Sequence, residues 1–264
     1  TKTHIPQMVS LPAAAVAVSC GEEHTCAILE DTTAYCWGAN EFGQLGDSTP
    51  QHHSDPVQVQ GLTGVRQMSM SSNYSCALVA ESGGTVYCWG NNYAGNLGTG
   101  DTDSRLVPTR VEGLTDIIHI SAKGTTCAVQ KNGLLWCWGG NLSGSIGDYT
   151  TTDRPLPTQT LHLTQVIAVE TGITTCALSV DGSLRCWGSN NWGQLGIGNR
   201  LRMTEPAFDP ISLPAVVSFA SGGKHTCAVT VEGSAYCWGE NDSGQLGIDY
   251  ISTELCPDRI VNHY

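Results

Sequence analysis

Cysteines are the residues with the clearest chemical potential in this sequence, which contains twelve of them among 264 residues. Ten of them form five pairs, whose members are 10 residues apart in four cases and 12 in the fifth. No pair has the Cys-x-x-Cys spacing typical of zinc sites. Such pairs predict disulfide bonds, which persist in oxidising compartments, so we expect a secreted, extracellular protein. The predicted disulfides are Cys26 with Cys36, Cys76 with Cys88, Cys127 with Cys137, Cys176 with Cys186 and Cys227 with Cys237.

Histidine lies close to two of these cysteines, an arrangement that nucleophilic catalysis would require. His24 and His225 each begin a His-Thr-Cys tripeptide. The other three copies of this tripeptide replace the histidine, with Tyr74, Thr125 and Thr174. Each cysteine already has a predicted disulfide partner, so no free thiol remains to act as the nucleophile. We therefore predict no catalytic residue and a non-enzymatic protein.

Two short polar segments contain residue types that bind metals. His52 and His53 lie near Asp55, and Asp101 and Asp103 are separated by one threonine. Adjacent histidines in a polar loop are usually solvated, and the acidic segment lacks the other ligands and the spacing of a calcium loop. Phosphate-binding loops, nucleophile elbows and paired catalytic carboxylates are also absent from the sequence. We predict no metal site and no cofactor.

The second cysteine of each pair belongs to a motif that positions it. Cys-Trp-Gly-x-Asn, followed by Gly-x-Leu/Ile-Gly, occurs five times with a period of 49 to 52 residues. A period of this length indicates a propeller or solenoid. Each repeat contains four short segments with strand-like alternation, separated by turn residues. We predict one all-β domain, with repeats at about 16–62, 65–114, 117–163, 166–213 and 216–261, and residues 1–15 as an extension or extra strand.

The spacing within a pair predicts a β-hairpin. Lys131-Asn132-Gly133 lies midway between Cys127 and Cys137, and glycine also occupies the third turn position at Gly182 and Gly233. A three-residue hairpin turn ends in a left-handed residue, which glycine adopts without strain. Each pair should therefore bridge neighbouring antiparallel strands. The recurring tryptophans are expected to fill the core between adjacent blades.

Composition limits the classes of partner. The formal net charge is −12, from 24 acidic and 12 basic residues. Nucleic-acid binding requires a basic surface, so we expect no nucleic-acid partner. No apolar run is long enough for a membrane span. Three Asn-x-Ser tripeptides, at Asn73, Asn141 and Asn241, fit glycosylation in a secretory pathway, and Asn141 and Asn241 are the preferred candidates.

The full motif, Cys-Trp-Gly-x-Asn-x-x-Gly-Gln-Leu-Gly preceded by Gly-x-x-His-Thr-Cys-Ala, resembles the regulator-of-chromosome-condensation repeat over residues 16–261. The resemblance implies a β-propeller of four-stranded blades. The best-known relatives have seven blades, whereas this chain has five repeats. The typical nuclear member is a nucleotide-exchange factor that binds chromatin, but an acidic, cysteine-rich chain is more similar to the secreted, disulfide-paired binding proteins of the family.

The two remaining cysteines suggest how the ring closes. Cys20 ends the first strand of the first repeat, and Cys256 precedes the last predicted strand, Pro257–Val261. If that strand paired with Val16–Ser19, a Cys20–Cys256 disulfide would join the terminal strands and protect their edges. Ile5–Val9 also resembles a strand and competes for the same edge. We expect five blades closed by the terminal strands and this disulfide.

Variation between repeats is concentrated in the loops, which are the usual binding elements on a rigid scaffold. Phe42, Tyr93 and Trp192 follow the Gly-x-Asn segment and are candidate partner-binding anchors, although packing over the blades explains them equally well. We predict a secreted, non-enzymatic binding or structural module for a protein partner or extracellular assembly. Lectin-like glycan binding between blades is the alternative, and a nucleotide-exchange factor or enzyme is less favoured.

Overall fold

A computed structural model describes residues 5–207, 209–248 and 251–259, and within these ranges the fold is all-β. Blade 1 contains β1 (Ala15–Cys20), β2 (His24–Leu29), β3 (Ala34–Gly38) and β4 (His53–Gln58). Blade 2 contains β5 (Val65–Met70), β6 (Tyr74–Val79), β7 (Thr85–Gly90) and β8 (Arg105–Arg110). Blade 3 contains β9 (Ile117–Lys123), β10 (Thr125–Gln130), β11 (Leu135–Gly139) and β12 (Arg154–Gln159). Blade 4 contains β13 (Val166–Glu170), β14 (Thr174–Ser179) and β15 (Leu184–Gly188), and blade 5 contains β16 (Val216–Ser221), β17 (His225–Thr230), β18 (Ala235–Gly239) and β19 (Glu254–Arg259).

Every blade is an antiparallel sheet with its strands in chain order. The second and third strands place the paired cysteines directly opposite each other, as in blade 3. All five predicted disulfides are formed, each with 4.1 Å between the Cα atoms. They are Cys26–Cys36, Cys76–Cys88, Cys127–Cys137, Cys176–Cys186 and Cys227–Cys237. The turn glycines Gly133, Gly182 and Gly233 have φ of 82°, 80° and 76°, so the hairpin and disulfide predictions are both confirmed.

Blade 4 differs from the others because, among the residues that the structure describes, its fourth strand is reduced to a single bridge between Gly188 and Met203. The chain rejoins the blade where the Ile211 N–H donates to the Leu184 carbonyl, eight residues after Met203. In blade 1 the equivalent distance, from His53 to Val59, is six residues. Blade 4 therefore has two more residues than blade 1 between these two points of contact.

Each hydrophobic core lies between two neighbouring blades. One core combines Cys26 and Ile28 of blade 1 with Met68 and Trp89 of blade 2, and three equivalent cores join the following blades. Because a blade has neighbours on both faces, central strands such as Tyr74–Val79 are buried along their whole length. The prediction that tryptophans fill the space between blades is confirmed for blades 2 to 5.

The predicted closure is wrong for the described residues. β19 pairs with β18 and completes blade 5, whereas β1 pairs only with β2. Cys20 and Cys256 are free and exposed, so the predicted Cys20–Cys256 disulfide is not formed. Cys20 lies on the first strand of blade 1. Cys256 lies on the fourth strand of blade 5, and its sulfur lies near Gly198 of blade 4. Residues 5–14 contain no strand, and residues 260–261 lie outside the described ranges.

Candidate binding site

Tryptophan and glycine join each blade to the preceding one. The indole N–H groups of blades 2 to 5 each donate a 2.9 Å hydrogen bond to a carbonyl in the Gly-x-Leu/Ile-Gly segment of the blade before. The pairs are Trp89 with Gln44, Trp138 with Asn96, Trp187 with Ser145 and Trp238 with Gln194. A β-carbon on Gly46 would lie 2.7 Å from the Trp89 nitrogen, so the last glycine of the segment is required by the close approach of the ring.

A hydroxyl group shares each of these carbonyls, and the sequence-based predictions missed it. The residue before the first cysteine donates to the same oxygen at 2.8 to 3.0 Å. The four donors are Ser75, Thr126, Thr175 and Thr226. The signal was present, because every repeat has serine or threonine at this position. Each carbonyl therefore accepts two hydrogen bonds from the next blade, which fixes how neighbouring blades are oriented.

His24 belongs to the junction between blades 1 and 2. Its Nε2 lies 2.9 Å from Ser75 Oγ, and that hydroxyl donates to the Gln44 carbonyl, so His24 Nε2 is the donor to Ser75. Burial lowers the pKa of His24 to about 4. Tyr74 has the same role one blade later, with its hydroxyl 3.0 Å from Thr126 Oγ1.

The asparagine of Gly-x-Asn closes the long loop that follows. In each blade its side-chain oxygen accepts from the backbone N–H five residues later, at 2.9 to 3.0 Å. Its amide nitrogen then reaches across the loop; in blade 4, Asn190 donates to the Asn199 and Leu201 carbonyls, both at 2.9 Å. The five asparagines, Asn40, Asn92, Asn141, Asn190 and Asn241, are fully buried.

This burial corrects the glycosylation prediction at two of the three tripeptides. Asn141 donates from its amide nitrogen to Thr150 and Thr152 carbonyls inside the loop, where a glycan on that nitrogen would have no room. Asn241 has the same fully buried position in blade 5. Asn73 lies in the turn before β6 and is half-buried, so glycosylation there stays a prediction.

The five loops closed by these asparagines lie at one end of the blades, because each follows a third strand. We call this end the third-strand rim (loops 39–52, 91–104, 140–153, 189–202 and 240–248). Tyr93 and Leu142 are its most exposed large apolar side chains, at 87% and 81%. Phe42 and Trp192, the other predicted anchors, are half-buried, and Lys224 Nζ lies 4.7 Å from the centre of the Trp192 ring. Only Tyr93 among the three predicted anchors is fully exposed.

A shallow groove of about 170 Å³ lies on the rim between blades 3 and 4. Its lining includes Lys123, Thr125, Leu142 and Ile173. Lys123 forms a 3.3 Å ion pair with Glu170 at its edge. The groove has a mostly apolar lining and is open to solvent, which suits contact with a protein surface more than enclosure of a small ligand.

The two polar segments whose residue types could bind a metal have structural roles in the loops. His52 Nδ1 accepts a 2.9 Å hydrogen bond from the Asn40 N–H, and His53 lies 3.0 Å from Asp47. Asp101 accepts from Asn92 and forms a 2.6 Å ion pair with Arg105. Over the described ranges, no three His, Cys, Asp or Glu residues form a group that would hold a metal ion.

These features define a class: a β-propeller with one disulfide in each blade, which is a binding or structural module. The sequence matches the family model for the regulator of chromosome condensation (RCC1) repeat at residues 31–78, 83–129, 181–229 and 232–263. The chain belongs to this family.

Known proteins agree with this assignment. The chain is 32% identical over 253 residues to the ultraviolet-B receptor UVR8 of Arabidopsis thaliana, covering 93% of this chain and 58% of that protein. It therefore spans less than two thirds of this relative. The structure resembles human WBSCR16, with a TM-score of 0.83 and 23% identity over 96% of this chain and 70% of that one. It also resembles yeast RCC1 (Prp20) bound to Kap60, with a TM-score of 0.80 and 22% identity over 94% and 64% of the two chains.

Within the described residues, no helix has the length and apolar character needed to cross a bilayer.

Proposed function

We propose that this chain is an extracellular binding module that recognises a protein partner through the third-strand rim. The observation that carries the proposal is the contrast between frame and loops. The buried asparagines and double hydrogen-bonded carbonyls are the same from blade to blade, whereas the rim presents Tyr93 in blade 2 and Leu142 in blade 3. Rigid, differing apolar anchors favour one protein surface over a repeated sugar.

The five disulfides support an oxidising, extracellular location for this function. Disulfides are rare in reducing compartments, and one per blade is dense. The structure of Kap60 bound to yeast RCC1 supports a protein as the class of partner. The net charge of −12 favours a partner with a basic surface, whose association would weaken as salt rises.

Site-directed variants test the rim directly. Tyr93→Ser with Leu142→Ser removes both exposed anchors, while Val180→Ser with Val231→Ser alters two hairpin turns at the opposite end that are 63% and 64% exposed. We expect oxidised wild-type protein and the hairpin variant to retain the same protein from an extracellular fraction, and the rim variant to lose it. Equal capture by all three proteins would contradict the proposal, and binding to a glycan array without protein capture would favour a lectin.

A further inference from the structure

Blade 3 has bulky side chains at two backbone positions where other repeats mostly have glycine. Tyr149 and His162 have φ of 65° and 57°, in the left-handed region. Their counterparts, all with positive φ, are Ser48, Gly100 and Gly198 for Tyr149, and Gly61 and Gly113 for His162. A left-handed φ strains a residue that has a β-carbon, and strained residues are concentrated at functional sites. Two of them in one blade indicate a function for this pair.

The two side chains meet at the surface. The Tyr149 hydroxyl lies 2.6 Å from His162 Nε2, and the rings are in edge-to-face contact with their centroids 5.7 Å apart. Tyr149 is 54% exposed, and His162 is also exposed. When His162 is neutral with its proton on Nδ1, the phenol donates to Nε2. The strained backbone thus presents an accessible phenol whose proton is already hydrogen-bonded to a base.

We infer that Tyr149 is a site of one-electron oxidation, at which a haem peroxidase with hydrogen peroxide couples this chain to a second tyrosine-bearing chain through dityrosine. A phenol that loses an electron becomes strongly acidic, so the electron leaves more readily when a base takes the proton at the same time. His162 Nε2 lies within the distance at which a general base accepts a proton. The exposure of Tyr149 gives its radical access to a second chain.

The electrons and protons of this coupling balance. Tyr149 gives one electron to the oxidised haem and its hydroxyl proton to His162 Nε2, which releases the proton to water. A tyrosine of the second chain also loses one electron and one proton. The two radicals form a carbon–carbon bond between the ring carbons next to the C–O carbons, and each bonded carbon loses its hydrogen while each oxygen regains a proton. The electrons and protons removed from the two phenols reduce one hydrogen peroxide to two molecules of water.

Two other tyrosines provide internal comparisons. Tyr93 is more exposed, at 87%, but its hydroxyl has no hydrogen-bonded base among the residues that the structure describes. The Tyr87 hydroxyl donates to the Glu81 carboxylate at 3.1 Å, and a carboxylate is a weaker base than an imidazole. If exposure determined the site of oxidation, Tyr93 would react most; if the bonded base determines it, Tyr149 reacts most.

Peroxidase treatment of the full chain tests this selectivity, with a second copy of the chain as the coupling partner. Cys20 and Cys256 are first blocked with iodoacetamide, because exposed thiols compete for the oxidant. A haem peroxidase and a limiting amount of hydrogen peroxide are then added, and the dityrosine-linked peptides are mapped by mass spectrometry after reduction of the disulfides. We expect linkage through Tyr149 to exceed linkage through Tyr93 by about tenfold or more, as a positioned base would produce.

His162→Asn is the matched variant, because asparagine tolerates the left-handed φ but is not a base. It should reduce linkage through Tyr149 about tenfold or more. Hydroxyl-radical footprinting reports ring exposure without requiring the phenolic proton to leave, and at Tyr149 it should not fall in this variant. Tyr93→Phe removes the more exposed phenol and should leave linkage through Tyr149 unchanged.

Three results would overturn the inference. The first is linkage that is absent from Tyr149 or occurs mainly through Tyr93. The second is equal linkage through Tyr149 in wild type and in His162→Asn. The third is a loss of linkage in His162→Asn that is matched by an equal loss of footprinting at Tyr149, since the histidine would then only hold the ring in an accessible position.

Discussion

The carbonyl oxygens of Gln44, Asn96, Ser145 and Gln194 show how single residues determine the relation between blades. Each accepts one hydrogen bond from an indole and one from a hydroxyl of the next blade. A buried indole N–H or hydroxyl without a partner would cost about 1–3 kcal/mol, so both groups must reach the carbonyl when the blades pack. The tryptophan therefore orients the junction as well as filling it.

His24 makes the first junction sensitive to acid. Its pKa is lowered to about 4 by burial, against an ordinary value of 6.5, so the unfolded chain binds a proton more readily than the folded chain. Stability rises with pH wherever the unfolded state binds more protons. The contribution of His24 is therefore fully present above about pH 6.5 and is lost as pH falls towards 4, by about 3 kcal/mol in total.

Urea unfolding at pH 7, 5.5 and 4 measures this contribution. His24→Thr introduces threonine, which occupies the same position at Thr125 and Thr174 in blades 3 and 4. The variant should lack the part of the acid destabilisation that His24 causes. His225→Thr is the control, because His225 is half-buried and has no following blade among the described residues. Burial also lowers the pKa of His119, but that effect is common to all three proteins and cancels. Identical pH dependence in wild type and His24→Thr would contradict the account.

At the scale of the element, the long loops of the third-strand rim are ordered by one buried amide each. The Asn190 side chain holds the Leu195 N–H and two carbonyls in a loop that has no strand pairing of its own beyond the Gly188–Met203 bridge. Without the amide, the buried Leu195 N–H and the part-buried Asn199 and Leu201 carbonyls lose their partner together. The rim loops thus depend on a residue that does not itself reach the surface.

Asn190→Ala should reduce the free energy of unfolding by about 3 kcal/mol, because a buried N–H and two part-buried carbonyls lose their partner at once. Hydrogen exchange should also accelerate in residues 195–203. Asn191→Ala, at the exposed neighbouring position, is the control and should change neither quantity appreciably. If both variants unfolded at the same urea concentration, the asparagine would not have the role assigned to it.

The sequence predicted local features of the elements well and long-range ones poorly. The Cys127–Cys137 spacing determines a hairpin, because a three-residue turn and a cross-strand bridge are both local. The partner of Trp138 is 42 residues away, and no spacing rule identifies the Asn96 carbonyl. Asn141 illustrates a different error. Its tripeptide fits a glycosylation signal, but its side chain is hydrogen-bonded to the backbone inside the loop.

At the scale of the whole molecule, the failed prediction of closure has a physical reason. Whether terminal strands meet depends on how many blades fill the ring, and that number is set by the angle between blades, which sequence spacing does not contain. The β19 strand pairs with β18 because that partner is adjacent in the chain, whereas β1 belongs to a different blade. Consequently Val18 and Trp37 at one end, and Gly244 at the other, are left open.

Because the frame is rigid and the loops vary, the partner is expected to bind at the third-strand rim. Photo-crosslinking tests this expectation most directly. p-Benzoylphenylalanine is placed at Tyr93 on the third-strand rim in one protein and at Val180, in the opposite hairpin turn, in another. After irradiation in an extracellular fraction, we expect a protein adduct at position 93 and none at position 180. An adduct at position 180 alone, or none at position 93 while the partner is still captured, would contradict the account.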